Sequence, residues 1–260
     1  GSMFVGSRVY NHEVPLRDGD FKRTMLKSMT ELQYNQEFEC AFLSNKGTLI
    51  NSQYLESIQS QPPINEVLGV RLFNDEPFRG KRIGVAIDVA EGIGGGGDFS
   101  TIQIFDIDRM EQIAEWDDNE TTITSFAKFI IDVLAKIYEM GAIEVYYTVE
   151  SNPIGLSVLN LLNTSNAHVL ERAELVSDNA KRGGMLTTNK SKMAGCSLMK
   201  DWVESDRMKL KSKKLISELK FFVKKGASFS AEVGMHDDLV MGVVIICNML
   251  KQIAKYDELL

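Results

Sequence analysis

The chain has 260 residues, of which 44% are hydrophobic and 25% are charged, a balance typical of a globular domain that buries a core. Its longest apolar run, residues 239–250, is too short to cross a bilayer, which argues against a membrane function. Three cysteines without a CxxC spacing argue against a disulfide framework and a structural zinc site, and they suit a reducing cytoplasm.

The charge distribution is uneven along the chain. The net charge of -7 alone argues against a nucleic-acid partner. Residues 181–225, however, contain 13 Lys and Arg against 4 Asp and Glu. Such a basic segment is typical of a polyanion-binding surface and equally of two solvated, lysine-rich helices, so charge by itself leaves both interpretations open.

The first 80 residues are expected to form an appendage to the main domain. Residues 1–3 (GSM) are interpreted as a remnant of recombinant expression. Residues 18–34 have apolar side chains at helical spacing, and the polar run ending in Pro62 and Pro63 indicates a connector. We therefore expect an N-terminal appendage over 1–80 and the main domain over 81–260.

The main domain begins with three predicted strands. Residues 82–90 are almost continuously apolar, and residues 100–108 alternate between polar and apolar side chains. Residues 112–118 can pair beside them in an antiparallel meander. An amphipathic helix is predicted next over 121–141, with a threonine cap and Gly141 at its left-handed end.

The remaining elements alternate between strands and helices. The pattern predicts a strand at 143–150, a helix at 153–163, a short strand at 167–173, a loop at 173–190, helices at 191–206 and 212–224, a small hairpin, and a last helix from about Asp237. The predicted fold class is α/β: a mixed sheet in which a three-strand antiparallel meander precedes a βαβ unit, with helices on both faces.

The glycine tract that follows the first strand does not predict nucleotide binding. Gly92, Gly94 and Gly97 match G-x-G-x-x-G, but a dinucleotide site needs that loop to open a helix, and a β-strand pattern follows instead. The sequence G-x-x-x-x-G-K-[ST] is also absent, so the chain contains no P-loop ATPase motif.

Four acidic residues lie within or next to apolar segments, where burying an acid would be costly. Asp88 interrupts an apolar strand, Glu150 ends another, and Asp237 and Asp238 open the apolar last helix. The two strands are expected to be neighbours, so these carboxylates would converge and repel unless divalent cations neutralised them. Oxygen ligands favour Mg²⁺ or Mn²⁺, and two such ions support phosphodiester hydrolysis. Simpler roles stay open: a helix N-cap for either aspartate and a surface acid for Glu150.

Four segments resemble motifs of one nuclease family. They are AIDVAEGIGGGGDFSTIQIFDI (86–107), YYTVESNPIG (146–155), NKSKMAGCSLMKDWVESDRMKL (189–210) and GMHDDLVMGVVI (234–245). Together they resemble the C-terminal nuclease domain of the large terminase subunit of tailed bacteriophages, within the RNase H-like superfamily. Residues 36–50 resemble the segment that joins the packaging ATPase to this nuclease.

The resemblance implies a metal-dependent endonuclease that cuts concatemeric viral duplex DNA during headful packaging, with water as nucleophile. It assigns catalysis to Asp88, Glu150 and Asp238, and two Mg²⁺ or Mn²⁺ ions to these residues with Asp237. Residues expected to support the ligands are Glu91, Gly92 and His236. Alternatives are a Holliday-junction resolvase or transposase relative, and a non-catalytic module that docks on DNA or the portal.

The resemblance and the basic segment also imply partners. Residues expected to bind DNA phosphates without reading bases are Lys181, Arg182, Lys190 and Lys192. For the lysines of 209–214 we favour a solvated helix start over a part of the DNA groove. Expected partners are double-stranded DNA, the portal protein, the small terminase subunit and the protein's own N-terminal ATPase domain. We expect a monomeric isolated domain, located in the host cytoplasm at the prohead portal.

Overall fold

The structure, a computed structural model, describes residues 47–90, 97–179 and 181–257, and a seven-stranded mixed sheet forms its centre. The strands are β1 (Asn65–Val67), β2 (Val70–Leu72), β3 (Arg82–Asp88), β4 (Ser100–Asp106), β5 (Glu111–Asp118), β6 (Glu144–Val149) and β7 (Glu174–Leu175). Their order is β1-β2-β5-β4-β3-β6-β7. Neighbours from β1 to β3 are antiparallel, whereas β3–β6 and β6–β7 are parallel. The predicted meander followed by a βαβ unit is confirmed.

The helices that the structure describes are α1 (Ser52–Ser57), α2 (Ile123–Glu139), α3 (Pro153–Asn163), α4 (Val169–Arg172), α5 (Asn189–Glu204), α6 (Lys213–Lys220) and α7 (Asp238–Asp257). A separate hairpin consists of β8 (Phe222–Lys225) and β9 (Ser228–Ala231). The amphipathic pattern correctly predicted α2, whose first turn is capped by the Thr122 hydroxyl. Gly141 follows this helix with a left-handed φ of 99°, as expected. None of the described helices is long and apolar enough to span a membrane.

Hydrophobic cores cover both faces of the sheet. On one face, Phe126 and Ile130 of α2 pack with Val85 of β3. On the other, Val243 of α7 packs with Ala86 of the same strand. Strand β3 is apolar almost throughout because successive side chains enter opposite cores, and the predicted helices on both faces are confirmed.

Two predicted elements differ from the structure. Residues 167–173 do not form a strand: they form the single turn α4, whose Val169 and Leu170 pack against the α2 side, and only the two residues of β7 then join the sheet. The helix predicted over 212–224 ends at Lys220, because buried Phe222 opens β8 instead. Aromatic and β-branched side chains favour such a strand.

The compact unit begins at Gly47, whereas the sequence placed a boundary near residue 80. Residues 65–72 supply β1 and β2 to the sheet, and Ile50 and Leu55 are buried in the core beside α7. The strands at 65–72 carry too few residues to show a period, so the sequence pattern first indicates a regular element after residue 80. The assignment of the first 80 residues to a motor-domain tail and linker stays a prediction; the helix predicted over 18–34 lies outside the described residues.

Candidate metal-binding and catalytic site

Asp88 and Glu150 leave the sheet at the same edge. Asp88 is the last residue of β3, and Glu150 directly follows β6, the parallel neighbour of β3. Ile87 is in register with Val149, and the Glu150 N–H donates to the Ile87 carbonyl at 2.8 Å. Because neighbouring parallel strands end at the same edge of the sheet, Asp88 and Glu150 lie side by side although they are 62 residues apart in the sequence.

The Asp88 side chain lies beside the Glu150 carboxyl at the ends of these two paired strands. Burial is the main cause that raises the pKa of Asp88 well above its usual range, and the charges of Glu150, Asp238 and Asp237 raise it further. Asn152 holds this pair in place: its Nδ2 donates to Glu150 Oε2 at 2.7 Å and to the Val89 carbonyl. The two acids therefore form a close pair at the end of the sheet.

The third acid, Asp238, is the first residue of α7, which packs across β4. Thr101, in register with Asp88, donates its hydroxyl to the Asp238 carbonyl at 3.3 Å, and Gln103 Nε2 donates to the Leu239 carbonyl at 3.3 Å. Gly242 permits this close packing, because a Cβ there would lie 2.8 Å from Gln103 Cγ. The first turn of α7 is thereby fixed beside Asp88.

Asp238 has an unsatisfied oxygen. Its side chain is 13% exposed, and Oδ2 is buried with no hydrogen-bond partner among the described residues, although His236 Nδ1 lies 3.3 Å away. The pKa of Asp238 is raised to about 6, chiefly by burial and also by the nearby Asp98, while His236 opposes the rise. An orphaned buried carboxylate oxygen is costly unless a cation binds it.

The alternative role of a helix N-cap does not account for the Asp237–Asp238 pair. Asp237 Oδ2 accepts the Ala231 N–H of β9 at 3.0 Å. The N–H groups of Leu239 and Val240 instead donate to Glu218 Oε2, at 2.9 and 3.2 Å.

Two acids near this site, Glu218 and Asp98, are not predicted by the sequence pattern. Glu218 is partly buried, and this burial raises its pKa to about 8. Nothing in the sequence indicates its role, because it lies in α6, within the basic segment. Asp98, the other acid, raises the pKa of Asp238 from the end of the glycine tract.

The chemistry of the donor set fits a hard divalent cation. In the ranges that the structure describes, no three His, Cys, Asp or Glu side chains are already arranged to hold a metal ion. The acids nevertheless offer only carboxylate oxygens, which suit Mg²⁺ or Mn²⁺. The raised pKa of Asp88 and the orphaned oxygen of Asp238 both mark places where positive charge is lacking. The expected supporting residues Glu91 and Gly92 lie outside the described residues.

The predicted DNA-binding residues lie at different positions around this edge. Lys192 lies in the first turn of α5, and its Nζ is 5.5 Å from the centre of the Phe222 ring. Lys181 and Arg182 belong to a loop that returns beside Glu150, and Arg182 is paired with Asp178 at 2.6 Å. Lys190 is exposed near the start of α5. Of these positions, the loop of Lys181 and Arg182 is the one that pairs directly beside an acid of the candidate site, through the bridge between Met185 and Glu150.

His236 lies beside Asp238, as expected for a supporting residue. Its side chain is 45% exposed, and its ring meets that of Phe99 edge-on with 5.3 Å between ring centres. The imidazole is therefore accessible both to solvent and to the Asp238 carboxylate.

A mixed sheet with acids at the ends of two parallel strands, and a third on a helix laid across the sheet, defines an RNase H-like fold. The family model of the terminase RNaseH-like domain matches residues 85–250, and the chain belongs to this family. The matched range contains Asp88, Glu150, Asp237 and Asp238. Family membership supports a role as a nuclease in viral DNA packaging.

Solved structures agree with this fold. The crystal structure of the large terminase nuclease from thermophilic phage G20c is 15% identical, covers 76% of this chain and 96% of that chain, and superposes with a TM-score of 0.57. Structures of the same nuclease with bound magnesium and with bound cobalt are each 16% identical, cover 78% of this chain and 97% of that chain, and give TM-scores of 0.54. At this level of identity the similarity shows the fold.

Proposed function

We propose that this chain is a metal-dependent DNA endonuclease that cuts concatemeric viral duplex DNA during headful packaging. The observation that carries the proposal is the convergence of three acids from β3, β6 and α7 at one edge, with a raised pKa at Asp88 and an unpartnered oxygen at Asp238. Such a concentration of buried carboxyls has no structural benefit without a bound cation. The magnesium- and cobalt-bound forms of the G20c nuclease support a divalent cation.

Asp88, Glu150 and Asp238 would hold Mg²⁺ or Mn²⁺, with Asp237 as a further ligand. The chemistry that two bound ions supply is activation of a water and stabilisation of the leaving oxygen. Asn152 orients Glu150 through its 2.7 Å hydrogen bond.

The start of α7 has its own supports. Glu218 accepts hydrogen bonds from two N–H groups of the first turn of α7, which an aspartate side chain would otherwise accept. Asp238 is therefore left available as a ligand. His236, with Nδ1 at 3.3 Å from Asp238 Oδ2, orients that carboxylate.

The proposed substrate is duplex DNA, bound through phosphates by Lys181, Arg182, Lys190 and Lys192 without base readout. With a net charge of -7, the isolated monomeric domain binds DNA weakly and with strong salt dependence. The packaging complex compensates by tethering the nuclease to its ATPase domain, alongside the portal and the small terminase subunit at the prohead in the host cytoplasm.

The test is cleavage of supercoiled plasmid at low salt with Mg²⁺ or Mn²⁺, comparing the wild type with Asp88→Asn. We expect at least about 100-fold loss in the variant, because the carboxylate is needed to bind the ions. The matched control is Asp108→Asn, since Asp108 is a 54% exposed acid that pairs with Arg82 at the opposite end of β3.

Three outcomes would contradict the proposal. Equal activity of wild type and Asp88→Asn would place the catalytic site elsewhere. Inactivity of both with either ion would favour a docking module or a requirement for the motor. Branched DNA cut at least about tenfold faster than linear duplex, a difference of roughly 1.4 kcal/mol in activation free energy, would favour a resolvase-like enzyme.

A further inference from the structure

The edge of the sheet that carries the acids continues toward β5. Asp88 is in register with Thr101 of β4, and Thr101 is in register with Asp117 of β5. Adjacent strands lie about 4.8 Å apart, so Asp117 stands roughly 10 Å from Asp88 along one line. A nucleic-acid backbone that crosses the acids in this direction would next meet whatever covers Asp117.

Lys214 covers Asp117. It lies at the start of α6, forms an ion pair with Asp117, and places Nζ 5.2 Å from the centre of the Phe99 ring. Phe99 in turn meets His236 edge-on, and His236 reaches Asp238. Lys214, Phe99 and His236, here called the ledge, therefore form a continuous surface that ends at an acid of the candidate site.

The ledge is open to solvent and retains unused binding capacity. The side chains of Lys214 and His236 are 51% and 45% exposed. An ammonium group has three donors, so Lys214 can bind a second anion while it keeps Asp117. The Phe99 ring holds the ammonium at this position through a cation–π contact. Cations interleaved with aromatic rings are a usual surface for nucleic-acid backbones.

We propose that the ledge holds the DNA backbone next to the cleaved phosphodiester: Lys214 binds a neighbouring phosphate, and Phe99 and His236 contact its sugar. This inference rests on the proposed nuclease function and deepens it by adding a substrate contact. It also revises the sequence-based preference for Lys214 as a solvated helix start. Lys214 of α6 then supplies positive charge to the acidic edge.

The experiment is equilibrium binding of a fluorescein-labelled linear duplex in EDTA, at salt concentrations from about 50 to 200 mM. For Lys214→Ala, the slope of log Kobs against log salt becomes less negative by about 0.9, the value for one phosphate contact. If the variant and the wild type bind equally at 1 M salt, this change in slope corresponds to about 8-fold weaker binding by the variant at 0.1 M salt. The matched control is Lys213→Ala, which removes the same charge from the adjacent, exposed position.

Two further variants separate charge from shape. Lys214→Arg keeps the cation and retains the wild-type slope. Phe99→Leu keeps apolar bulk but loses the ring, so binding weakens while the slope stays unchanged. Thermal unfolding of each variant verifies that it is folded. In plasmid cleavage, Lys214→Ala raises KM and leaves kcat unchanged, which a general structural defect would not do.

The outcomes distinguish this inference from the nuclease proposal. Equal slopes for Lys214→Ala and Lys213→Ala would overturn the ledge, as would an unchanged KM in an active Lys214→Ala enzyme. Absence of duplex binding by the wild type would overturn the ledge together with the proposed substrate. Binding as expected with no metal-dependent cleavage would support the ledge and refute the nuclease chemistry.

Discussion

Replacing Asp238 by Asn is expected to stabilise the metal-free protein while it abolishes cleavage. The pKa of Asp238 is raised from its ordinary value of 3.8 to about 6, chiefly by burial. A rise of about two units corresponds to about 3 kcal/mol of unfavourable free energy in the ionised native state. Asn keeps the shape and removes the charge, so it relieves this cost.

The pH dependence follows from the sign of the shift. Between pH 3.8 and about 6 the native protein binds the proton that the unfolded chain has released, so wild-type stability falls as pH rises through this window. The loss of folding stability that ionisation of Asp238 causes is below about 1 kcal/mol at pH 4 and reaches about 3 kcal/mol at pH 8. For a domain of this size, that amounts to an increase in Tm of up to about 6–12 °C for Asp238→Asn at pH 8.

The assay is thermal and urea unfolding of wild type and Asp238→Asn in EDTA at pH 4 and pH 8. The control Asp237→Asn changes the same charge one residue away, where the carboxylate is already hydrogen-bonded by Ala231, and a smaller gain is expected. Addition of Mg²⁺ stabilises the wild type but not Asp238→Asn, because the ligand is lost. A variant less stable than the wild type at pH 8 in EDTA would refute the view that Asp238 holds uncompensated charge.

Three further changes test the supports of the fold and the site. Arg71→Met leaves the buried Glu115 carboxylate without its cation and Asp117 with Lys214 alone, so it should lower the free energy of unfolding by about 3–5 kcal/mol in urea titration. Arg79→Met, at a 75% exposed side chain, should change it by less than about 0.5 kcal/mol. Gly155→Ala would place a Cβ 1.7 Å from the Glu150 carbonyl oxygen. We therefore expect the free energy of unfolding to fall by about 3 kcal/mol or more and cleavage to be lost. A stable, active variant would show that this turn is not tightly packed. Glu218→Leu removes the acceptor for two α7 N–H groups, whereas Glu218→Gln removes the same charge and keeps an acceptor. Relative to Glu218→Gln, Glu218→Leu should be less stable by about 1–2 kcal/mol and should bind Mn²⁺ more weakly by calorimetry; equal values for the two variants would contradict the capping role.

The sequence by itself determined the central architecture and the main acids. Strand β3 had to be buried on both faces because its apolar run is almost continuous, and α2 had to be amphipathic because of its period. The proximity of Asp88 and Glu150 follows from the same patterns, because neighbouring parallel strands end at one edge. These properties depend on local periodicity and on one rule of sheet geometry, both of which are visible in a linear sequence.

Only the tertiary structure decided which group serves which purpose at that edge. Glu218 caps α7 and leaves Asp238 available, and Lys214 reaches the acids through Phe99, although both belong to a segment whose sequence suggests a solvated helix. The strands formed by residues 65–72 likewise joined the sheet without a periodic signal. These contacts join residues far apart in sequence, and they are chosen by how helices pack across the sheet, which no local pattern encodes.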